Sequence, residues 1–472
     1  MISKKPQRIC DEIRAGEAKR DRYLLREREV LARYHGPGYL GSGEAFVDHE
    51  NHAFEWIARF SAELVQDNPR ATVKGYGDPA SMKEAASLEQ AANRDIRHSD
   101  LGRLIQDTFP DWSMFWNITV TTSEPAIGEE HRDNALHAPY TCDVPREDFF
   151  VDASARNWGD VRICGHRVVA DKEDMIAHAK ANPDEGWDIG AIQQLKSRQD
   201  LHKRQDDETN EEGFNRSTER GEVEYWQVFI DEDDPKTMKA IPEAEMYAEN
   251  GDKLYNGILC TVSFEVTSTD ADTGKSVGLQ LRPPRPYFGP PSDDTIKGPY
   301  VLHGCYRVPR HVYPLGPIMA TYHQQRKLNE HVDRMLKHSA AARTVGAVDG
   351  LNTDDNERLK NAPDGAILVL AGLDKDRTAT FEFPGTTQED ITVYSLLKER
   401  RDQNAGMPET ARGGTQVGIT ATADALAGSA SDARKEFCAR RLAMGWKAVI
   451  KQRVWFMRND FRVCFPLEDG TL

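Results

Sequence analysis

The chain has no run of apolar residues long enough to cross a membrane as a helix, which takes about 18 or more. It has no CxxC among its seven cysteines, which are odd in number and scattered, so neither a zinc site nor a disulfide framework is expected. The opening residues Met1-Ile2-Ser3-Lys4-Lys5-Pro6 carry no apolar core of a signal peptide. HExxH is missing. Gly274-Lys275-Ser276 invites a phosphate-loop reading, but Thr269 stands where that loop needs its first glycine, and the surroundings read strand-turn-strand. Cys164 and His166 have no second pair at zinc spacing, and burial is the expected reading. Net positive charge is lacking too: the formal charge is -16 and the pI about 5.4, which excludes a general nucleic-acid coat. No catalysis and no cofactor are expected.

A length of 472 residues allows roughly three domains or one elongated subunit. The fold class expected is α+β. Residues 11–34 read as a surface helix with Leu24, Leu25, Val30 and Leu31 inward. Residues 51–66 read as a second helix with Phe54, Ile57, Phe60, Leu64 and Val65 inward, and 81–105 as a third. Phe109, Trp112, Phe115 and Trp116 form an aromatic cluster expected in the core or at a subunit interface. Residues 140–169 are β-rich and 171–181 helical. Residues 194–220 are so charged that an exposed loop is expected. A strand over 222–230 is read from the alternation of Val223, Tyr225, Val228 and Ile230. Residues 258–266 and 277–281 pair as a hairpin, and 283–291 read as an extended connector.

The most informative stretch is 314–420. A helix over 315–342 places Leu315, Ile318, Met319, Tyr322, Val332, Met335 and Leu336 on one face. A second stripe carries His323, Arg326, Lys327, His331, Arg334, Lys337 and His338 at three- and four-residue steps. Two readings of the stripe stand: a face turned to a polyanion, or a solvated face that pairs with acids of a neighbouring subunit. An insert over 344–384 reads as a short helix at 352–361 and strands at 366–370 and 378–383. A helix over 387–403 spaces Ile391, Tyr394, Leu397 and Arg401. Residues 405–418 are glycine-rich, too long for a plain connector, and open a long helix over 420–459. That helix carries Phe437, Leu442, Trp446, Val449, Ile450 and Val454 on its apolar side, with Gly428-Ser429 as a kink. A closing strand is read at 461–465.

This order of parts resembles the portal proteins of tailed double-stranded DNA bacteriophages. The resemblance rests on 309–329 (PRHVYPLGPIMATYHQQRKLN), on the Gly406-Met407-Pro408 turn, and on the run from Gly418 through Ile419-Thr420-Ala421-Thr422. It extends to 34–69 (YHGPGYL, then NHAFEWIARFSAELVQDNP) and to Val144-Pro145 through Phe150-Val151-Asp152-Ala153. Ala423-Asp424 departs from the family, where Thr-Glu or a similar pair is expected.

The resemblance implies a wing over 1–305, a first stem helix over 306–342, a clip over 343–385, a second stem helix over 386–404, a tunnel loop over 405–419, and a long kinked wing helix with closing strand over 420–472. It implies a structural virion protein, twelve copies of which form a ring at one capsid vertex. Double-stranded DNA passes through the channel without regard to sequence. The terminase, scaffold and major capsid proteins, and later the tail adaptors, are the expected partners. Assembly takes place in the host cytoplasm, with no membrane involved. Arg326, Lys327, Arg334 and Lys337 are then expected along the channel, and Glu409, Arg412 and Gln416 on the tunnel loop. An acidic chain suits a channel through which DNA must slide, because a strongly basic wall would hold it. Two alternatives remain: a metal-dependent nuclease with Asp231, Asp233 and Asp234 as ligands, and another tail or capsid subunit.

Overall fold

The computed structural model describes residues 5–35, 51–65, 68–75, 77, 79–123, 127, 139–196, 221–232, 241–242, 245–248, 250–264, 278–349, 361, 367–370, 379–383, 385–406 and 421–460. The fold is mixed α+β, and the chain divides into two compact units. The first comprises residues 1–29, 57–317 and 438–472; the second comprises 30–56 and 318–437.

The first unit is built on two antiparallel sheets. Strands β1 (Asn117–Thr122), β2 (Tyr140–Val144), β8 (Ile296–Lys297) and β9 (Tyr300–His303) make one, in the order β2-β1-β9-β8. Strands β3 (Phe149–Val151), β4 (Ile163–Asp171), β5 (Glu222–Ile230), β6 (Tyr255–Ser263) and β7 (Leu279–Phe288) make the other, a meander in sequence order. Strand β5 has the expected bounds but not the expected burial. As the central strand it is covered on both faces. Val223 and Tyr225 pack against α5 (Lys172–Ala181) and α6 (Ile189–Gln193) through Met175, Ala179, Ala191 and Ile192. Trp226, Val228 and Ile230 pack on the other side against Ile9, Cys10 and Ile13 of α1 (Pro6–His35). Side chains alternate at period 2, so Tyr225 and Val228 fall on opposite faces. The four residues of the alternation thus divide between two cores.

Helix α1 begins five residues before the expected start, and the added residues include Ile9 and Cys10, both buried. Gly16 lets it lie close to the sheet: a Cβ there would stand 2.5 Å from the Val151 carbonyl oxygen. Lys19 Nζ donates to the carbonyls of Ala153 (3.1 Å) and Ala155 (2.7 Å).

The 283–291 connector is also corrected. Pro283, Pro284 and Pro286 lie within β7, with Pro286 opposite Ile258. Strand β7 is an edge strand, where a missing N–H costs no ladder bond. The single helix expected over 81–105 is two: α3 (Pro79–His98) and α4 (Leu101–Met114). Asp100 sits between them at φ 50, in the left-handed region that ends a helix. The aromatic cluster Phe109, Trp112, Phe115 and Trp116 is buried in this unit's core. Helix α2 (His52–Leu64) turns Trp56, Ile57 and Phe60 inward, whereas Phe54, expected inward, is 55% exposed. The expected loop over 194–220 lies outside the described residues from 197 onward, as does the strand at 461–465.

Asp143 on β2 is poised for a pH test. Burial, reinforced by the negative charge of Asp111, pushes its carboxyl from 3.8 up to about 7. The folded state therefore holds this proton more tightly than the unfolded one, so stability falls as pH rises from 3.8 to 7. Asp143→Asn, which mimics the protonated form, is expected to leave stability unchanged below pH 3.8 and to raise it above pH 7. The gain is up to about 4 kcal/mol at about 1.4 kcal/mol per pKa unit. Urea melts across this range check it; a difference that is flat with pH would exclude the role.

In the second unit, helix α7 (Pro317–Ala341) leads to a three-stranded sheet, which leads to α8 (Gln388–Ala405). The sheet has β10 (Arg343–Asp349) at its centre, parallel to β11 (Ile367–Leu370) and antiparallel to β12 (Ala379–Phe383). Strands β11 and β12 match the two expected in the insert; β10 was not expected. The short helix at 352–361 lies outside the described residues except for residue 361. Helix α9 (Ala421–Asn459) is 39 residues long and its helical hydrogen bonding continues through 428–429. Its residues from 438 onward belong to the first unit, where Leu442, Trp446 and Val449 are buried; Phe437 is 43% exposed.

Candidate nucleic-acid interface

Helix α7 is shorter than expected. Residues 306–316 are a loop closed by reciprocal 2.9 Å backbone bonds between Tyr306 and Leu315, and Pro317, whose fixed φ suits a first helical position, starts the helix. Leu315 therefore leaves the helix and is 37% exposed. Ile318, Thr321, Tyr322, Gln325, Leu328 and Asn329 form the buried side. These recur at i, i+3, i+4 and i+7, as one face of a helix requires. The side is more polar than the sequence suggested, and Leu336 at its far end is 54% exposed.

The opposite side carries the stripe. His323, Arg326, Lys327, Arg334, Lys337 and His338 are all exposed. Arg326 pairs with Glu330 one turn on, Nε to Oε1 at 3.0 Å, with both side chains more than half exposed; such pairs contribute little. Among the described residues Lys327, Arg334 and Lys337 form no ion pair. His331 departs from the stripe: it is buried, and its Nε2 lies 2.9 Å from the Asp390 carbonyl. The structure thus brings the four predicted cations together on one exposed face. Glu409, Arg412 and Gln416 lie outside the described residues.

Helix α8 has strong ends. Thr387 and Asp390 form a capping box, in which Thr387 N donates to Asp390 Oδ2 (3.0 Å) and Asp390 N donates to Thr387 Oγ1 (3.2 Å). The Thr387 backbone N–H holds the Asp390 carboxyl below its usual range. At the other end Gly406 adopts φ 75 as a left-handed cap. Between them Ile391, Val393 and Leu396 are 44–46% exposed.

The two helices are joined by polar groups that sequence reading passed over. Arg401 is fully buried and donates from Nε and Nη2 to Asp402 Oδ1 at 2.9 and 2.7 Å. Its Nη1 donates to Gln325 Oε1 at 2.8 Å, and Gln325 Nε2 donates to Asn329 Oδ1 at 3.1 Å. The signal was present: Arg401 continues the inward row of Tyr394 and Leu397, where a guanidinium must find partners.

Of the residues weighed as metal ligands, Asp231 accepts a 3.1 Å bond from Lys297 Nζ, while Asp233 and Asp234 lie outside the described residues. His166 is buried with Nδ1 2.7 Å from the Tyr300 hydroxyl, and Cys164 is buried beside it in sequence. No group of three or more His, Cys, Asp and Glu among the described residues is placed to hold a metal ion. No helix among them is long and apolar enough to cross a membrane. No protein-family model matches the chain, and a search of curated proteins finds no match.

Proposed function

We propose that this chain is the subunit of a ring-shaped portal, the channel through which double-stranded DNA enters and leaves a capsid of a tailed bacteriophage. The observation that carries the reading is the second unit: two helices bracket a three-stranded sheet, and the first helix exposes a face of cations, of which Lys327, Arg334 and Lys337 form no ion pair among the described residues, in a chain of net charge -16. The resemblance set out above supplies the rest. In the proposal α7 and α8 are the stem, the sheet is the clip, and residues 405–419 are the tunnel loop. The long helix α9, with its expected kink and closing strand, belongs to the wing. Terminase, scaffold, major capsid and adaptor proteins are the partners, and the packaging motor supplies the ATP work, so the chain itself catalyses nothing.

Two features support ring assembly. Ile391, Val393, Leu396 and Leu336 present apolar surface that a neighbouring copy would cover, as head-to-tail contacts in a closed ring do. The cations of α7 are Arg and Lys on an exposed helix face, suited to phosphate contacts that carry no sequence information.

Electron microscopy of the purified protein tests assembly: class averages should show closed rings of about twelve copies with an open centre. Monomers that persist with scaffold protein added would end the reading. Changing Arg326, Lys327, Arg334 and Lys337 together to Glu is expected to leave rings intact and to reduce packaged DNA at least about tenfold, since each lost phosphate contact weakens polyanion binding. Unchanged packaging would assign the stripe to solvent or to inter-subunit pairing.

A further inference from the structure

The first unit contains a cavity of about 590 Å³, within the range of small-ligand sites. Its walls come from three distant parts of the chain. The turn at 156–160 contributes Arg156 and Asp160. The loop after β9 contributes Arg307, Arg310 and His311. Helix α9 contributes Arg441 and Gly445. Four arginines and two aspartates, Asp160 and Asp294, line it, so the lining is net positive in a strongly acidic protein.

These arginines are available. Arg156, Arg307 and Arg310 are exposed, and none has a carboxylate partner among the described residues. Arg441 is half-buried and held by its Nε bond to the Cys305 carbonyl at 2.9 Å, which leaves its remaining N–H groups for a ligand. Arg310 is held at φ 64, in the left-handed region that residues with a Cβ seldom adopt. The loop that presents it is closed at its base by the Tyr306–Leu315 bonds.

The cavity wall also contains an unsatisfied polar atom. His303 is 2% exposed; its Nε2 lies 2.8 Å from Thr119 Oγ1, while its Nδ1 has no partner. Position 445 must be glycine for this ring to fit, since a Cβ there would collide with His303 Nδ1. Burial pushes the imidazole down to about 3, so it is a neutral hydrogen-bonding group at neutral pH. A buried polar atom without a partner is unfavourable unless a ligand or water supplies one.

We propose that this cavity binds a phosphate group, held by Arg307, Arg310, Arg156 and Arg441, with His303 at its wall. Arginines from separate segments that line one cavity offer donors for the several oxygens of a phosphate, to which arginine binds through paired N–H groups. An acidic side chain from a second copy is the competing occupant. It is disfavoured because a carboxylate brings two oxygens to the donors of four guanidiniums, whereas a phosphate brings three or four. The phosphate belongs either to a nucleic-acid backbone or to a free phosphate. The proposal is independent of the ring reading: the cavity lies within the first unit and uses none of the α7 cations.

The test is calorimetric titration of the full chain with inorganic phosphate and, separately, with a short duplex of mixed sequence. It is repeated for Arg307→Ala/Arg310→Ala and for the control Lys83→Ala/Lys180→Ala, at exposed lysines outside both the cavity and the α7 stripe. Native protein should bind at least one probe. The first variant should bind at least about tenfold more weakly, as loss of charge-assisted bonds implies, and the second should bind as native does. Circular dichroism should show both variants folded, since all four side chains are exposed. Duplex binding that inorganic phosphate fails to displace assigns the site to a polymer backbone; saturation by inorganic phosphate alone assigns it to the free ion. Neither probe binding to native protein, or equal binding by native and the first variant, would overturn the proposal. So would self-association lost in the first variant with no phosphate binding at all, which would give the cavity to an acidic segment of another copy.

Discussion

Arg453→Met is expected to destabilise the first unit by about 3 to 5 kcal/mol, the cost of stranding a buried charge. Arg453 on α9 meets Asp95 on α3 with two parallel bonds, Nε to Oδ2 and Nη2 to Oδ1, both 2.6 Å. The side chains are 2% and 1% exposed. A third bond runs from Nη1 to Thr141 Oγ1 on β2, also 2.6 Å, so one guanidinium ties two helices to a sheet edge. Methionine fills a similar volume but donates nothing, and Asp95 would have to stay charged in the interior or take up a proton. The loss is read as a fall in the midpoint of the first urea transition, because a chain of two units need not unfold in one step. The double change Asp95→Leu/Arg453→Met is expected to recover most of it, since replacing both members of a buried pair by apolar groups is often close to neutral. A single variant that melts like the native protein would mean that Asp95 is satisfied without Arg453.

Patterns set within one segment were readable, and those set by neighbours were not. The bounds of β5 follow from a dense run of β-branched and aromatic residues. Its place as the middle strand of five, with cores on both faces, depends on strands up to about eighty residues away in sequence. Proline reads as a breaker because the sequence does not say which strand will be at an edge; β7 is an edge, and keeps three. The Ser99-Asp100 break lacks both Gly and Pro, and the turn is made by one aspartate in the left-handed region. Phe54 and Phe437 obey the helical period yet are exposed, since periodicity shows a stripe but not what covers it.

The same division holds for the sites. The cations of α7 were legible because they repeat along one helix. The arginine cavity was not, because 156, 307, 310 and 441 share no local pattern and meet only through the fold. Arg401 lay between these cases: its position was noted, but its meaning required Gln325, which is 76 residues away.

That residue gives the second large effect. Arg401→Leu is expected to cost the second unit about 3 kcal/mol or more, by leaving Asp402 in a buried setting without the two bonds from Nε and Nη2. It also removes the 2.8 Å bond to Gln325 that joins α8 to α7. Arg401→Lys keeps the charge but not the fork: one ammonium cannot reproduce both the paired bonds to Asp402 and the bond to Gln325, so an intermediate loss of about 1 to 2 kcal/mol is expected. Thermal melts of the two variants should therefore rank native, Lys, Leu. The ranking separates this residue from the stripe beside it. Charge reversal at Arg326, Lys327, Arg334 and Lys337 alters an exposed face and should leave the melt nearly unchanged, whereas Arg401→Leu alters no exposed charge and should lower it. If rings form as proposed, Arg401→Leu should reduce ring yield, and the four-residue reversal should spare the ring and reduce its DNA content. The opposite pattern, normal rings with Arg401→Leu and no rings with the reversal, would make the stripe a contact between copies and take it away from the DNA path.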